Sequence, residues 1–278
     1  MKNHSSPIVN LPWYDFPELK QATDALWSAV REELGSAGLG ALPTELDREL
    51  PYLDAWHSPE FLLGQACGYD LIISAQEHLQ YVATPCYSAP CSLGPQYRSY
   101  VLVRDADPHQ SLEDLRGLRC VINQRTSHSG MNTLRSELAP KALQGHFFSA
   151  VLESGAHRAS LASLRCGQAD VAAIDCVAFA LLSRDAPADV EGLRIIHKTL
   201  PVPSPPYVTS SATDPQVLEL LQQALTSAVA RPALAATRRT LMLSSVEVLD
   251  PADYDIIQEQ KNAADACGYS ELLSPPKL

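Results

Sequence analysis

The run Asn123-Gln-Arg-Thr-Ser-His-Ser-Gly-Met131 concentrates the groups of this chain best suited to chemistry. It follows an apolar stretch, Arg119 to Asn123, that reads as a strand, and a helical pattern begins near Ser129. A strand-to-helix turn of this kind aims free backbone N–H groups, together with the hydroxyls of Ser127 and Ser129, at one point. The helix dipole adds partial positive charge there, so an oxyanion can be held without a dedicated arginine. Gly130 lets the backbone come close to a ligand. The same residues also describe a capped helix with no ligand, because serine and threonine are favoured caps.

Two further strand ends carry polar groups. In Glu153-Ser-Gly-Ala-His-Arg158 a strand end, a glycine turn and a helix start follow in order, and His157 could donate to the same anion or serve as a cap. Asp175 ends the apolar strand Val171-Ala-Ala-Ile174, on the side where open α/β sheets bind ligands. Its alternative role is N-cap of the next helix. Three strand ends in one lobe thus place polar groups where one crevice is expected. Catalysis has no comparable signature: GxSxG, GxGxxG, P-loop and HExxH motifs are all absent. Asp70 could act as an acid or base, yet nothing locates a partner for it. Tyr69, Tyr87, Tyr97 and Trp13 are candidate cleft aromatics or ordinary packing residues.

These groups need a scaffold of alternating strands and helices. Ile8 to Leu11 reads as a short strand, and Leu19, Ala22, Leu26, Ala29 and Val30 form a helical stripe behind Pro17. Pro59 to Ala66 is expected to be a helix, and Leu71–Ser74 and Tyr81–Thr84 strands. Tyr97 to Arg104 is the clearest strand of the first half. Strands at 119–123, 147–153, 171–175 and 193–197 then alternate with helices beginning near Ser111, Ser129, His157 and Cys176. After the proline-rich stretch Leu200–Tyr207 come a strand to Ser210 and helices from Asp214, Pro232 and Asp253. The rhythm predicts a mainly parallel, doubly wound α/β fold in two lobes. The segment near Tyr97 and the proline stretch are the expected crossings, giving 1–98 and 205–278 as lobe one and 99–204 as lobe two.

Composition narrows the class of partner. The 278 residues are 46% hydrophobic and 19% charged, with a net charge of −11, and no apolar run is long enough for a membrane span. Without a Lys/Arg cluster, a nucleic-acid or anionic-membrane surface is not expected. The start, Met1 to Asn10, has no apolar core or small-residue cleavage site. It reads as cytoplasmic, or as periplasmic if a leader was removed. The seven cysteines form no CxxC pair and are expected to be reduced thiols, several of them core filler. No metal or cofactor is expected.

The order of these motifs resembles the phosphate/phosphonate-binding subfamily of periplasmic-type solute-binding proteins. It is carried by Tyr97-Arg-Ser-Tyr-Val-Leu-Val-Arg104, Ser111-Leu-Glu-Asp-Leu-Arg-Gly117, the Thr126-Ser-His-Ser-Gly130 turn, Ser154-Gly-Ala-His157 and Gly167-Gln-Ala-Asp-Val-Ala-Ala-Ile-Asp175. Trp13-Tyr-Asp-Phe-Pro-Glu-Leu19 and Cys67-Gly-Tyr69 are similar to a leaderless branch of the group. The resemblance implies a type II binding-protein fold, with two lobes joined by two crossings, that closes on a small anion, a phosphonate or phosphate ester. By motif, Ser127, His128, Ser129 and His157 would hold the oxyanion, and Tyr97 would contribute an aromatic. Asp175 would face a distal group, with Tyr14 and Tyr69 approaching from lobe one. An ABC permease is the implied partner. His128 replaces the small hydroxyl residue usual in phosphonate binders. An enzyme or ligand sensor on the same fold is the alternative.

Overall fold

The computed structural model describes residues 7–272; positions 1–6, read above for a leader, and 273–278 lie outside the described residues. The chain divides into two compact units. Of the described residues, the first comprises 7–88, 93–96 and 203–253, and the second 89–92, 97–202 and 254–272.

The first unit is built on a five-stranded sheet. Ile8–Val9 runs parallel to Phe61–Gln65, which pairs antiparallel with Tyr207–Ser210. That strand pairs with Leu79–Tyr87, and Leu79–Tyr87 with Leu243–Glu247, both antiparallel. The helix Lys20–Ser36 buries Ala22, Leu26, Ala29 and Val30, the stripe predicted from spacing, and packs on the helix Pro215–Ala230. Residues 61–65 were expected to be helical and are a strand. Phe61 and Leu63 are buried in the sheet, and a Cβ on Gly64 would lie 2.6 Å from Asn10 Oδ1 and 2.7 Å from the Phe61 ring. The glycine that would weaken a helix here permits close strand packing instead. Conversely, the expected strand Leu71–Ser74 is a π-helical turn, Asp70–Ser74, closed by Ala75 N–H on the Asp70 carbonyl at 2.8 Å. The Ser74 hydroxyl donates to Asp70 Oδ1 at 2.5 Å and secures the turn. The strand Leu243–Glu247 was not foreseen. It follows directly on Met242, whose left-handed backbone (φ 49°) ends the helix Ala235–Leu241.

The second unit also holds a five-stranded sheet. Ala150–Glu153, Arg119–Ile122 and Val171–Asp175 are parallel, as the alternation predicted. Ser99–Arg104 and Leu193–Lys198 complete it in antiparallel pairing, so parallel order is confined to three strands. The cause is direction: Ser99 pairs with Asp175, so this strand begins at the edge where its neighbour ends. The base of the sheet is fixed by Asp170, which accepts from Arg104 Nη2 (2.9 Å) and from Arg119 Nε, Nη2 and N–H (2.9, 2.8 and 3.0 Å).

The final helix, Asp255–Ala266, departs from the expected division. It was assigned to lobe one, but from Tyr254 onward the chain packs with the second unit. The reason lies in its buried face: Ile257 and Ala264 are fully enclosed, and the helix packs on Thr133–Leu138. The chain therefore passes between units not only near residue 97 and near 203, as predicted, but also on either side of the short segment 89–92 and again after Asp253.

Candidate functional site

Two of the three parallel strands end level, Ile122 opposite Glu153, and the third, with Ala172 opposite Val121, runs on to Asp175. The first two are followed by a turn and a helix and the third directly by a helix, so Asn123–Ser127, Ser154–Ala156 and Asp175 share one sheet edge. Tyr97, two residues before Ser99, enters at that edge and is fully buried.

Beyond Ile122 the chain forms the turn that leads into helix. His128–Asn132 is π-helical, closed by Asn132 N–H on the Ser127 carbonyl at 3.0 Å, and continues without a break as the α-helix Thr133–Leu138. Ser127 is the N-cap, its hydroxyl accepting from Gly130 N–H at 3.0 Å. The wider π ring leaves an additional unpaired N–H at the helix start, and such turns recur at functional sites. A Cβ on Gly130 would sit 1.8 Å from Asn123 Oδ1 and 3.3 Å from His157 Cε1. Only glycine lets the turn, the Asn123 amide and the His157 ring pack so closely.

His157 begins the helix His157–Arg165, and its Nε2 lies 2.9 Å from Ser129 Oγ. The sequence expectation that these two strand ends meet is thereby met in geometry. Burial pushes the imidazole down to about 4, so the ring is neutral near pH 7. A neutral ring carries one proton, so one of Nε2 and Nδ1 donates and the other accepts. Nδ1 has no hydrogen-bond partner among the described residues. The cations beside the turn are directed to carboxylates: Arg125 lies 3.5 Å from Glu153, and Arg158 2.6 Å from Asp189. The polar groups this edge offers are accordingly N–H and O–H dipoles rather than an arginine without a carboxylate.

Two predicted residues take other positions. The ring of His128 is 1% exposed and packs inward, Nδ1 lying 3.3 Å from the Asn132 amide nitrogen one turn on. Burial holds its pKa down to about 3. Asp175 is 2% exposed, and its Oδ1 accepts from the N–H groups of Val177 (2.7 Å) and Ala178 (3.1 Å). It is the N-cap of the helix Cys176–Asp185, the alternative role read from the sequence.

In the first unit, Tyr14 and Tyr87 meet edge to face with centroids 5.2 Å apart. They line a cavity of about 20 Å³ with Trp13, Gln65 and Tyr207, of which Gln65 and Tyr207 had no sequence signal. Gln65 Nε2 donates to Tyr87 Oη (3.2 Å) and to the Pro205 carbonyl (2.9 Å). Tyr14 has φ 62°, a costly left-handed conformation for an aromatic residue and of the sort that marks functional positions. Tyr69 is buried beside the Asp70–Ser74 turn.

Among the described residues no group of three His, Cys, Asp or Glu could hold a metal, and no helix is long and apolar enough to cross a membrane. None of the seven cysteines is in a disulfide, and Cys67, Cys86, Cys120 and Cys176 are buried.

Comparison with curated proteins finds no match. Solved structures share the fold. A binding-protein component of a phosphonate ABC transporter from Pseudomonas aeruginosa is 14% identical, with TM-score 0.77 over 95% of this chain and 88% of that one. PhnD1 of Prochlorococcus marinus, in complex with methylphosphonate, is 13% identical, with TM-score 0.73 over 94% and 98%. A Xanthomonas citri protein bound to ATP is 18% identical, with TM-score 0.70 over 95% and 98%. The architecture is that of the type II periplasmic binding proteins. The family model for the phosphonate periplasmic substrate-binding proteins of ABC transporters matches residues 64–254, well over half of the sequence, and this chain belongs to that family.

Proposed function

We propose that this solute-binding protein takes a phosphonate or phosphate monoester, with the oxyanion held at the sheet edge of the second unit. The observation that carries the reading is the joint geometry of Ser127, Gly130, Ser129 and His157. One hydroxyl caps the turn at 3.0 Å, and the other meets the imidazole at 2.9 Å across two strand ends. In this reading Ser127, Ser129 and His157 contact the anion through side chains, whereas His128 contributes its backbone N–H and its ring supports the core. Tyr97, Tyr14 and Tyr69 are proposed as further ligand contacts, and Asp175 as the cap that fixes the third strand end. A permease of the ABC type is the proposed partner, and the periplasm of an exporting cell the proposed compartment.

Acid/base turnover has less support. With its pKa near 4, His157 is a weak base, and Asp70 is already bonded to the Ser74 hydroxyl. The test is calorimetric titration of methylphosphonate, phosphate monoesters, sulfonates and carboxylates into the wild type and a Ser129→Ala/His157→Ala double variant. Binding of a phosphonate or phosphate ester that the double variant loses is the expected result. Equal binding by the double variant would place the site elsewhere, and a wild type indifferent to every oxyanion would overturn the ligand class.

A further inference from the structure

We infer that Arg135 is a positioning residue for the binding turn, tying residues 127–132 to the C-terminal segment so that the turn keeps its shape only when that segment is docked. The inference rests on the binding role proposed above for this turn and extends it to residues that touch no ligand. Arg135 lies on the helix Thr133–Leu138, which continues the turn, and is 2% exposed. A guanidinium at that depth has five N–H donors and needs acceptors. Nη2 donates to Asn132 Oδ1 at 2.7 Å. Nη1 donates to Asp265 Oδ1 at 3.3 Å and to the Ser270 carbonyl. Lys261 holds the other oxygen of Asp265 at 2.7 Å.

Asn132 is the junction. Its backbone N–H closes the π turn on the Ser127 carbonyl, and its Oδ1 receives Arg135. Its amide nitrogen faces His128 Nδ1 and the Ile257 carbonyl, each at 3.3 Å. With the Asn132 amide donating, His128 Nδ1 accepts and the ring proton sits on Nε2. A continuous set of hydrogen bonds therefore joins Ser127 and His128, through Asn132 and Arg135, to Ile257, Asp265 and Ser270. None of these bonds uses Ser127 Oγ, Ser129 Oγ or His157, the groups assigned to the anion. Without the guanidinium, the buried Asn132 Oδ1 and Ser270 carbonyl lose their donor, and the side chain that closes the turn loses its restraint.

The experiment compares amide hydrogen exchange in the ligand-free wild type, Arg135→Met and Asp265→Asn. Methylphosphonate titration is added as a second readout. Arg135→Met should speed exchange of the 127–132 amides by roughly tenfold or more, with strands 119–122 and 171–175 unchanged. Asp265→Asn, at a half-buried carboxylate, should give a smaller change in the same place. Faster exchange in 254–272 with the turn untouched would overturn the inference and leave Arg135 a mere anchor. If Arg135→Met unfolds the whole unit, Asp265→Asn decides: a change confined to the turn and the C-terminal segment supports the inference, and a uniform change refutes it. Methylphosphonate affinity should fall about tenfold in Arg135→Met. Should the wild type not bind methylphosphonate, that bears on the ligand class alone, because the exchange pattern judges Arg135 without any ligand.

Discussion

Acidification from pH 7.5 to 5.0 should destabilise the second unit through two imidazoles, that of His128 buried and that of His157 partly buried. Burial lowers His128 from 6.5 to about 3 and His157 from 6.5 to about 4. Below pH 6.5 the unfolded chain binds protons that the folded rings refuse, so stability falls as pH falls, until the folded pKa values are reached. Each ring forfeits about 1.4 kcal/mol per pH unit over the 1.5 units between 6.5 and 5.0, or about 2 kcal/mol, and the pair together about 4 kcal/mol. Carboxylates contribute little in this window because their unfolded values lie near 4. Trp13, Trp27 and Trp56 all belong to the first unit, so their fluorescence follows the other half of the molecule. The assay is therefore urea unfolding at both pH values, followed by exchange protection of strands 119–122 and 171–175, with tryptophan fluorescence as reference. His128→Asn and His157→Asn should each remove about half of the pH-dependent loss. A loss below about 1 kcal/mol in the wild type, or one of undiminished size in both variants, would refute the reasoning.

Gly130→Ala places a methyl group against Asn123 Oδ1 and should destabilise the second unit by about 1–3 kcal/mol and weaken anion binding; Asn123→Ala in the same chain should relieve much of the loss in a double-mutant cycle. Asp170→Asn should cost about 2–4 kcal/mol in urea denaturation at pH 7, because Arg104 and Arg119 converge on that carboxylate. The arginines hold its pKa well below the usual carboxylate range, so its contribution is complete above about pH 4 and is lost as pH falls further; the variant's acid transition should be correspondingly flatter.

Much of the second unit was legible because its polar residues punctuate apolar runs. The strand Val171–Asp175 and the turns at 123–127 and 154–156 stand where the change from alternating to helical spacing puts them. That is why Ser129 and His157, 28 positions apart, could be assigned to one edge. What each side chain faces was less legible. His128 carries the polarity of a site residue, yet its ring is turned to the core by Asn132 one helical turn on. Nothing in the sequence singles out Arg135, which is buried at 2% exposure beside the returning chain. Phe61–Gln65 shows a different limit: a short apolar run fits helix and strand equally well, and the contact of Gly64 with Asn10 and Phe61 decides the matter. The final helix was expected from Asp253, but nothing in the sequence names the surface that receives its buried face, Ile257 and Ala264.

That last helix has a consequence for the order in which the molecule can be made. Asn132 meets Ile257 across 125 positions of chain, and Arg135 meets Asp265 across 130. Contacts so distant close large loops, and during synthesis they cannot form until residues 257–265 have emerged. The strands around Arg119 and Val171 are available long before, so a nascent second unit would assemble its sheet first and hold the 127–132 turn unfinished. The turn would then be completed only when Ile257 and Asp265 reach Asn132 and Arg135.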